Sequence, residues 1–296
     1  MKAVVKTTDA GTLREALHKH LRRVDLERPA VNLHASDVTR EEAEFCPRAP
    51  TIKVRNKVPP SKREVITSMA VTWEWGRLVE QQVREWFAEM GMAVGDWECR
   101  HDPCGRMFTW QKRPKVCRGC GGVAFKYHER RAISAVSGIG CGIDLLVDYG
   151  ENLLRLVEVK SIDKEKFAEL AMAKAEHKLR TQLYLRCMAE SDDPVWERVN
   201  RTRARVLYVT KGGFGVKTPE MGSWSFADGG FSPFKEYVID RDDAEVEYLV
   251  QRAMQARIGM SGGAIPDKIA ACKGGLASKR AQLCDVNMQC FKMKAA

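Results

Sequence analysis

Eight of the ten cysteines fall into two sets whose spacing limits what this chain can become. Cys99-x4-Cys104 and Cys117-x2-Cys120 form two close thiol pairs joined by a short loop. Cys46 stands near the front, and Cys272, Cys284 and Cys290 crowd the end. The start, Met1 to Ala10, lacks the apolar stretch of a signal peptide, so the expected compartment is the cytoplasm. Thiols stay reduced there, and clustered cysteines read as metal ligands before they read as disulfides.

The compact set has the pattern of a zinc ribbon, with four thiolates holding Zn2+ tetrahedrally. Four thiolates leave no open position on the ion, so the expected role is structural. Gly121 and Gly122 let the backbone turn close to the metal, and His101 and His128 are possible substitute ligands. Arg100, Arg106, Lys112, Arg113, Lys115 and Arg118 surround the set, with Phe108 and Trp110 among them. Two readings stay open: a surface that grips phosphates and stacks on bases, or a small insert whose aromatics pack inward. Cys141 and Cys187 read as small buried side chains.

The chain has 296 residues, enough for one large core with attachments or for two domains. Lys and Arg number 49 against 39 Asp and Glu, a balance of +10. That surplus favours a polyanionic partner, although a generally basic soluble enzyme would show it too. No apolar run approaches the roughly 20 residues of a membrane span. Nothing in the sequence reports the oligomeric state.

Hydrophobic periodicity predicts a basic amphipathic helix over Thr12 to Glu27 and a helix from about Ser68 to Met90. Trp75, Val79, Val83 and Phe87 form the expected buried stripe of the second. Gly140 to Ser161 reads as a β-hairpin turning at Gly150-Glu151-Asn152. Glu165 to Ala189 reads as helix, Arg203 to Thr210 as a strand followed by a Gly212-Gly213 turn, and Lys235 to Asp240 as its partner. Asp242 to Ile258 is a further helix, capped by Asp242 or Asp243.

The hairpin carries the chemistry. A three-residue turn sets Asp144 directly across from Glu158, with β-carbons roughly 5 Å apart. Two carboxylates that close repel each other unless a cation lies between them, and oxygen ligands of this kind suit Mg2+ or Mn2+. The Val159 carbonyl is a further candidate ligand. Lys160, two residues beyond Glu158, reaches the same spot, where it can orient a water or stabilise charge on a phosphate. Glu80, at the edge of the helical stripe, is a third carboxylate for the metal, or else the partner of Arg77 or Arg84. Such a group suits phosphodiester hydrolysis.

Gly142-Ile143-Asp144 followed by Glu158-Val159-Lys160 resembles the core of the PD-(D/E)xK nuclease superfamily. Gly76-Arg77-Leu78-Val79-Glu80 resembles the preceding helix motif of its RecB-like and lambda-exonuclease branches. Gln182 resembles the first residue of the Q-x-x-x-Y helix motif that contacts DNA, although the position four residues on is Arg186, and Tyr184 departs from the spacing. Phe45-Cys46-Pro47-Arg48 with the C-terminal cysteine trio resembles the iron–sulfur exonucleases of the RecB-like group, both CRISPR-associated and phage-type. Cys284 and Cys290 keep that group's gap, whereas Cys272 stands further away. Thiolate chemistry alone does not separate iron–sulfur from zinc at these four cysteines.

The resemblance implies an α/β, restriction-endonuclease-like core: a mixed central sheet flanked by helices. It places that core in 46–95 and 131–260, a zinc insert in 96–130, a helical arm in 1–45 and an iron–sulfur cap in 261–296 completed by Cys46. It implies a 4Fe–4S cluster on Cys46, Cys272, Cys284 and Cys290. It implies Mg2+ or Mn2+ at Glu80, Asp144, Glu158 and the Val159 carbonyl, with Lys160 and Gln182 assisting. The activity implied is a metal-dependent DNA exonuclease acting on ends or single strands, with recombination or CRISPR-adaptation proteins as further partners. The alternative is a DNA-binding or adaptation subunit with a nuclease fold.

Overall fold

The computed structural model describes residues 13–26, 29–39, 44–211, 216–217, 224–225 and 232–292. The expected Gly212-Gly213 turn and the first twelve residues of the N-terminal arm lie outside them.

In chain order the front contains α1 (Leu13–Leu21), β1 (Arg23–Leu26), α2 (Ala35–Val38), α3 (Arg48–Arg55) and β2 (Lys62–Val65). The long helix α4 (Thr67–Glu89) leads into β3 (Ala93–Cys99), β4 (Met107–Lys112) and β5 (Phe125–His128). Then come β6 (Arg130–Ile133), β7 (Gly140–Ile143), β8 (Leu145–Val147), β9 (Arg155–Ile162), α5 (Lys164–Ala168) and α6 (Ala175–Ala189). The remainder is β10 (Arg203–Thr210), the two-residue strands β11 (Val216–Lys217) and β12 (Trp224–Ser225), β13 (Phe234–Asp240), α7 (Asp243–Met260), α8 (Lys279–Gln282) and α9 (Asn287–Lys292).

The central sheet runs β13-β10-β9-β8-β3-β4, with β5 also on β3. Only β9 and β10 are parallel; the other neighbours are antiparallel. The class is therefore mixed α/β, a mostly antiparallel sheet flanked by helices. Side chains alternate across β9: Val157 and Val159 join the apolar cluster under α4, while Leu156 joins the one under α6 and α7. Burial on both faces explains why the adjacent residues Leu156 and Val157 are both apolar.

The expected single helix over Thr12 to Glu27 ends at Leu21, and Arg23–Leu26 is instead a strand paired with β2. Trp75 is not in the buried stripe of α4; it is 57% exposed. The helix instead lies on β9 at Gly76, where an added Cβ would meet Ser161 Oγ at 3.7 Å. This turns Glu80 and buried Val83 toward the sheet and Trp75 away, with Val79 and Phe87 packed alongside. The helix expected over Glu165 to Ala189 is broken between α5 and α6. Lys235 Nζ, from β13, donates to the carbonyls of Phe167 (2.6 Å), Ala168 (3.2 Å) and Leu170 (2.9 Å) and so satisfies the end of α5. Asp242, rather than Asp243, caps α7, accepting from the N–H of Ala244 and Glu245.

β3 belongs to both the core and the cysteine-rich insert. It pairs with β8 at Ala93 and Val94, then with β4 and β5 up to Cys99. A register shift between Gly95 and Trp97 marks the crossover, where the Asp96 carboxylate accepts the Trp110 N–H at 3.0 Å. Among the described residues no helix is long and apolar enough to cross a membrane.

Candidate active site

A gap in the sheet makes the site. The β8–β9 ladder stops at Leu145 opposite Val157, because β7 turns away to pair with β6. One step further on the same register Asp144 lies opposite Glu158. The edge of β9 thus loses its strand partner at Val159, and the Val159 N–H donates to Asp144 Oδ2 at 3.1 Å. A carboxylate takes the place of a strand carbonyl, which satisfies the buried donor and holds Asp144 in the gap.

Glu158 is 1% exposed, on the α6 side of the sheet. Lys160 Nζ stands 2.6 Å from Glu158 Oε1 and 3.5 Å from Asp144 Oδ2. It also donates to the Val159 carbonyl at 3.0 Å, so the backbone oxygen expected to face a metal faces this ammonium. Glu158 Oε2 is buried with no hydrogen-bond partner among the described residues. An unpaired carboxylate oxygen beside a second carboxylate is the donor set a hard divalent cation would complete.

Burial first, then the Asp144 charge, push Glu158 up to about 8. The same two causes push Glu80 up to about 7. Burial would also raise Asp144, but Lys160, Glu158 and the Val159 N–H hold it below the usual carboxylate range. Burial alone would lower Lys160; Glu158 and Asp144 outweigh it and keep it cationic.

Glu80, Asp144 and Glu129, a residue that no sequence motif singles out, bring one oxygen each within 4.8 Å of one another. Glu129 lies between β5 and β6. Arg84 bridges it to Glu80, 3.4 Å from the latter, and donates to the Asp144 carbonyl at 3.0 Å. Arg77 pairs with Glu74 instead. If Glu129 contributes to the cation site, Glu129→Gln weakens Mn2+ binding about tenfold or more, measured by titration calorimetry. Unchanged affinity would remove Glu129 from the site.

Gln182 is not brought to the carboxylates. Its Nε2 donates to Glu245 Oε2 at 2.9 Å and the Asp240 carbonyl at 3.4 Å. On α6 the residues seven apart, His177 and Tyr184, share a face, and Gln182 points off it toward α7. Tyr184 is buried, and its hydroxyl lies where the Glu158 and Asp144 charges reinforce the effect of burial, raising its pKa. Tyr208 is the register neighbour of Lys160, and its hydroxyl meets His177 Nδ1 at 2.7 Å. Burial, with the Lys160 charge second, holds His177 down to about 3, a neutral ring. Tyr208 and His177 carry no signal in the sequence because only the β9–β10 pairing and the packing of α6 on β10 bring them to the site.

The compact cysteines converge. Cys99 and Cys120 sulfurs are 3.6 Å apart, as are those of Cys104 and Cys117. Disulfide sulfurs would be about 2.05 Å apart, whereas tetrahedral Zn–S bonds of about 2.3 Å imply edges of roughly 3.8 Å. All four donors lie within 4.8 Å of one another, so the residues fit a single zinc ion. The burial that would raise Cys117 is overcome by the Gly119 and Cys120 N–H groups and neighbouring thiols, which hold it to about 6. His128 is engaged by Glu98 at 2.7 Å.

Cys46, Cys272, Cys284 and Cys290 line one cavity with Ala49, Phe291 and the cations Lys268 and Arg280. Unlike those of the other quartet, their sulfurs do not all lie within 4.8 Å of one another. Arg48, buried, donates to the Pro266 carbonyl at 2.8 Å, and Lys53 pairs with Asp285 at 2.7 Å, so α3 and the tail already meet here.

No family model and no curated protein matches the chain. Among solved structures it is similar to LHK-Exo in complex with dAMP, at TM-score 0.43 and 12% identity, covering 79% of this chain and 89% of that one. It is likewise similar to the alkaline exonuclease LHK-Exo from Laribacter hongkongensis, at TM-score 0.43 and 13% identity, covering 83% and 92%. SSO0001 overlaps at TM-score 0.35 and 14% identity, covering 82% of each chain. Overlaps this low carry no argument about activity; the geometry of the carboxylates and Lys160 does.

Proposed function

We propose that the chain is a Mg2+- or Mn2+-dependent deoxyribonuclease that works from DNA ends. The observation that carries this reading is Glu158: a buried carboxylate with one oxygen on Lys160 and the other unpaired, beside Asp144. Asp144 and Glu158 would hold the cation, with Glu80, whose oxygen lies within 4.8 Å of one on Asp144, as a further ligand. A bound Mg2+ or Mn2+ supplies a polarised phosphate oxygen and a more acidic bound water. Lys160, cationic and anchored by both carboxylates, holds the attacking water and offsets charge gathering on the phosphate. Arg84, paired with Glu80 and Glu129 and bonded to the Asp144 carbonyl, holds these carboxylates in place.

The four cysteines around α3 and the tail hold a 4Fe–4S cluster, a staple between residue 46 and the segment 261–296. Visible absorbance and bound iron in anaerobically purified wild type, both lost in Cys46→Ala, would support this; an iron-free wild type would end it. The insert 96–130 holds zinc, and the core comprises 46–95 and 131–260.

The test of end dependence is anaerobic incubation with end-labelled linear and closed circular DNA and Mg2+ or Mn2+. Linear DNA alone is expected to be degraded. Equal attack on circles would make the enzyme an endonuclease, and no attack on either would overturn the reading.

The raised carboxyls also set a pH dependence. Between about 4.5 and 8 the folded chain binds a proton at Glu158 that the unfolded chain has released, so metal-free stability falls as pH rises through that window. A cation must displace this proton, so its affinity rises with pH. The Mn2+-induced rise in Tm is therefore expected to be larger near pH 8 than near pH 6; an equal rise at both would contradict the assignment.

A further inference from the structure

We infer that the solvent face of the cysteine ribbon is a phosphate-holding track for the DNA strand whose scissile bond lies at the acidic cluster. This rests on the nuclease reading for what occupies the site, but its evidence is separate. Arg100, Arg106, Lys115, Arg118 and Lys126 are all exposed, and none forms an ion pair or side-chain hydrogen bond among the described residues. Cations closer to the core are spent on partners: Arg113 on Glu85, Lys112 on Asp148 and Arg130 on Asp96. The nearby acids Asp96 and Glu98 are likewise engaged, by Arg130 and His128. The five free cations exceed the residual negative charge of four thiolates on a divalent ion together with Asp102.

Topology roots this ribbon beside the site. β3 passes the level of Asp144 near Asp96, on the register that sets Ala93 against Val147 and Val94 against Leu146. Cys99 follows three residues later, roughly 10 Å further along at about 3.3 Å per residue. β5 returns along β3 and delivers Glu129 directly into the carboxylate group. The ribbon is thus rooted at the candidate metal site and projects from it. A strand rising about 3.4 Å per nucleotide would meet the cations a few nucleotides from the bond being cut.

The ribbon holds the DNA backbone and not its bases. Phe108 packs edge-on against Phe125 with ring centroids 5.7 Å apart, and Trp110 packs against Trp196 at 5.6 Å. Neither ring is offered outward for stacking. Arg130 lies over Trp110 at 4.5 Å, closing it further. A surface of cations without aromatic platforms binds electrostatically and with little sequence preference.

The test is a fourfold variant, R100Q/K115Q/R118Q/K126Q, with a charge-preserving control, R100K/K115R/R118K/K126R. Affinity for a labelled single-stranded oligonucleotide is measured by anisotropy across a salt series without added Mg2+ or Mn2+, and zinc content is measured alongside. The neutral variant is expected to bind tenfold or more weakly, and its salt slope to flatten by about 0.7 for each phosphate no longer neutralised. The control should bind as wild type does. Hydrolysis of a small chromogenic phosphodiester, too short to reach the ribbon, should be unchanged. Unaltered affinity and slope in the neutral variant would overturn the track, whatever the protein cleaves. A flattened slope in a protein that cleaves nothing would keep the track and overturn the nuclease reading. If the neutral variant loses zinc, the pair Lys115→Gln and Lys126→Gln decides by the same slope.

Discussion

Glu158→Ala and Lys160→Ala are each expected to lower DNA cleavage by roughly a thousandfold or more, about 4 kcal/mol of transition-state stabilisation, with DNA affinity changed only a few-fold. Glu158 cannot be replaced locally. Its strand neighbours on the same face are Leu156 and Lys160, and the remaining carboxylates, Glu80 and Glu129, enter from other elements. Lys160 is the only cation touching both Asp144 and Glu158 among the described residues. The two variants should differ in stability. Lys160→Ala leaves two buried carboxylates facing each other, and breaking such a pair costs about 3–5 kcal/mol. Added Mn2+ should restore part of that loss, since a cation between the carboxylates replaces the ammonium. Thermal unfolding with and without Mn2+ measures both effects. Cleavage near the wild-type rate in either variant would remove the acidic cluster from the chemistry.

Cys117→Ser is expected to abolish zinc binding and unfold the ribbon while the core stays folded. Cys117 is 1% exposed and packs in the cluster under α4 with Cys99, Trp97 and Phe125. Structural zinc contributes on the order of 10 kcal/mol to domains of this size, far more than the Trp97–Tyr127 and Phe108–Phe125 edge-on pairs can supply. The boundary of unfolding should fall near the register shift between Gly95 and Trp97, where β3 leaves β8. Limited proteolysis should then cut within 96–130 and spare β9 and β10. Activity should fall too, because Glu129 directly follows β5. A Cys117→Ser protein that keeps its zinc, or resists protease in the ribbon, would show that the four sulfurs are not a metal shell.

Much of this arrangement is legible in the sequence because it is local. The opposition of Asp144 and Glu158 follows from a hairpin centred on Glu151, although the ladder itself ends at Val147 and Arg155 and Leu154 bridges to Val199. β10, β13 and α7 follow from periodicity and one capping aspartate. The failures are non-local. Lys235 ends α5 from a strand more than sixty positions away, and no local pattern announces that. Glu129 sits in no motif; it matters only because β3 and β5 fold back beside Asp144. Gln182 carries a motif-like position, yet helical rotation commits it to Glu245. Trp75 has the right spacing for a buried stripe, but Gly76 permits the closer approach to β9 and turns the tryptophan outward.

The most direct measurement is cleavage of end-labelled linear DNA by the anaerobically purified protein, with and without Mn2+, beside Glu158→Ala. Wild type is expected to lose label progressively with Mn2+ only, and the variant to lose none. Cleavage that persists without any divalent cation, or survives in Glu158→Ala, would contradict the proposed function.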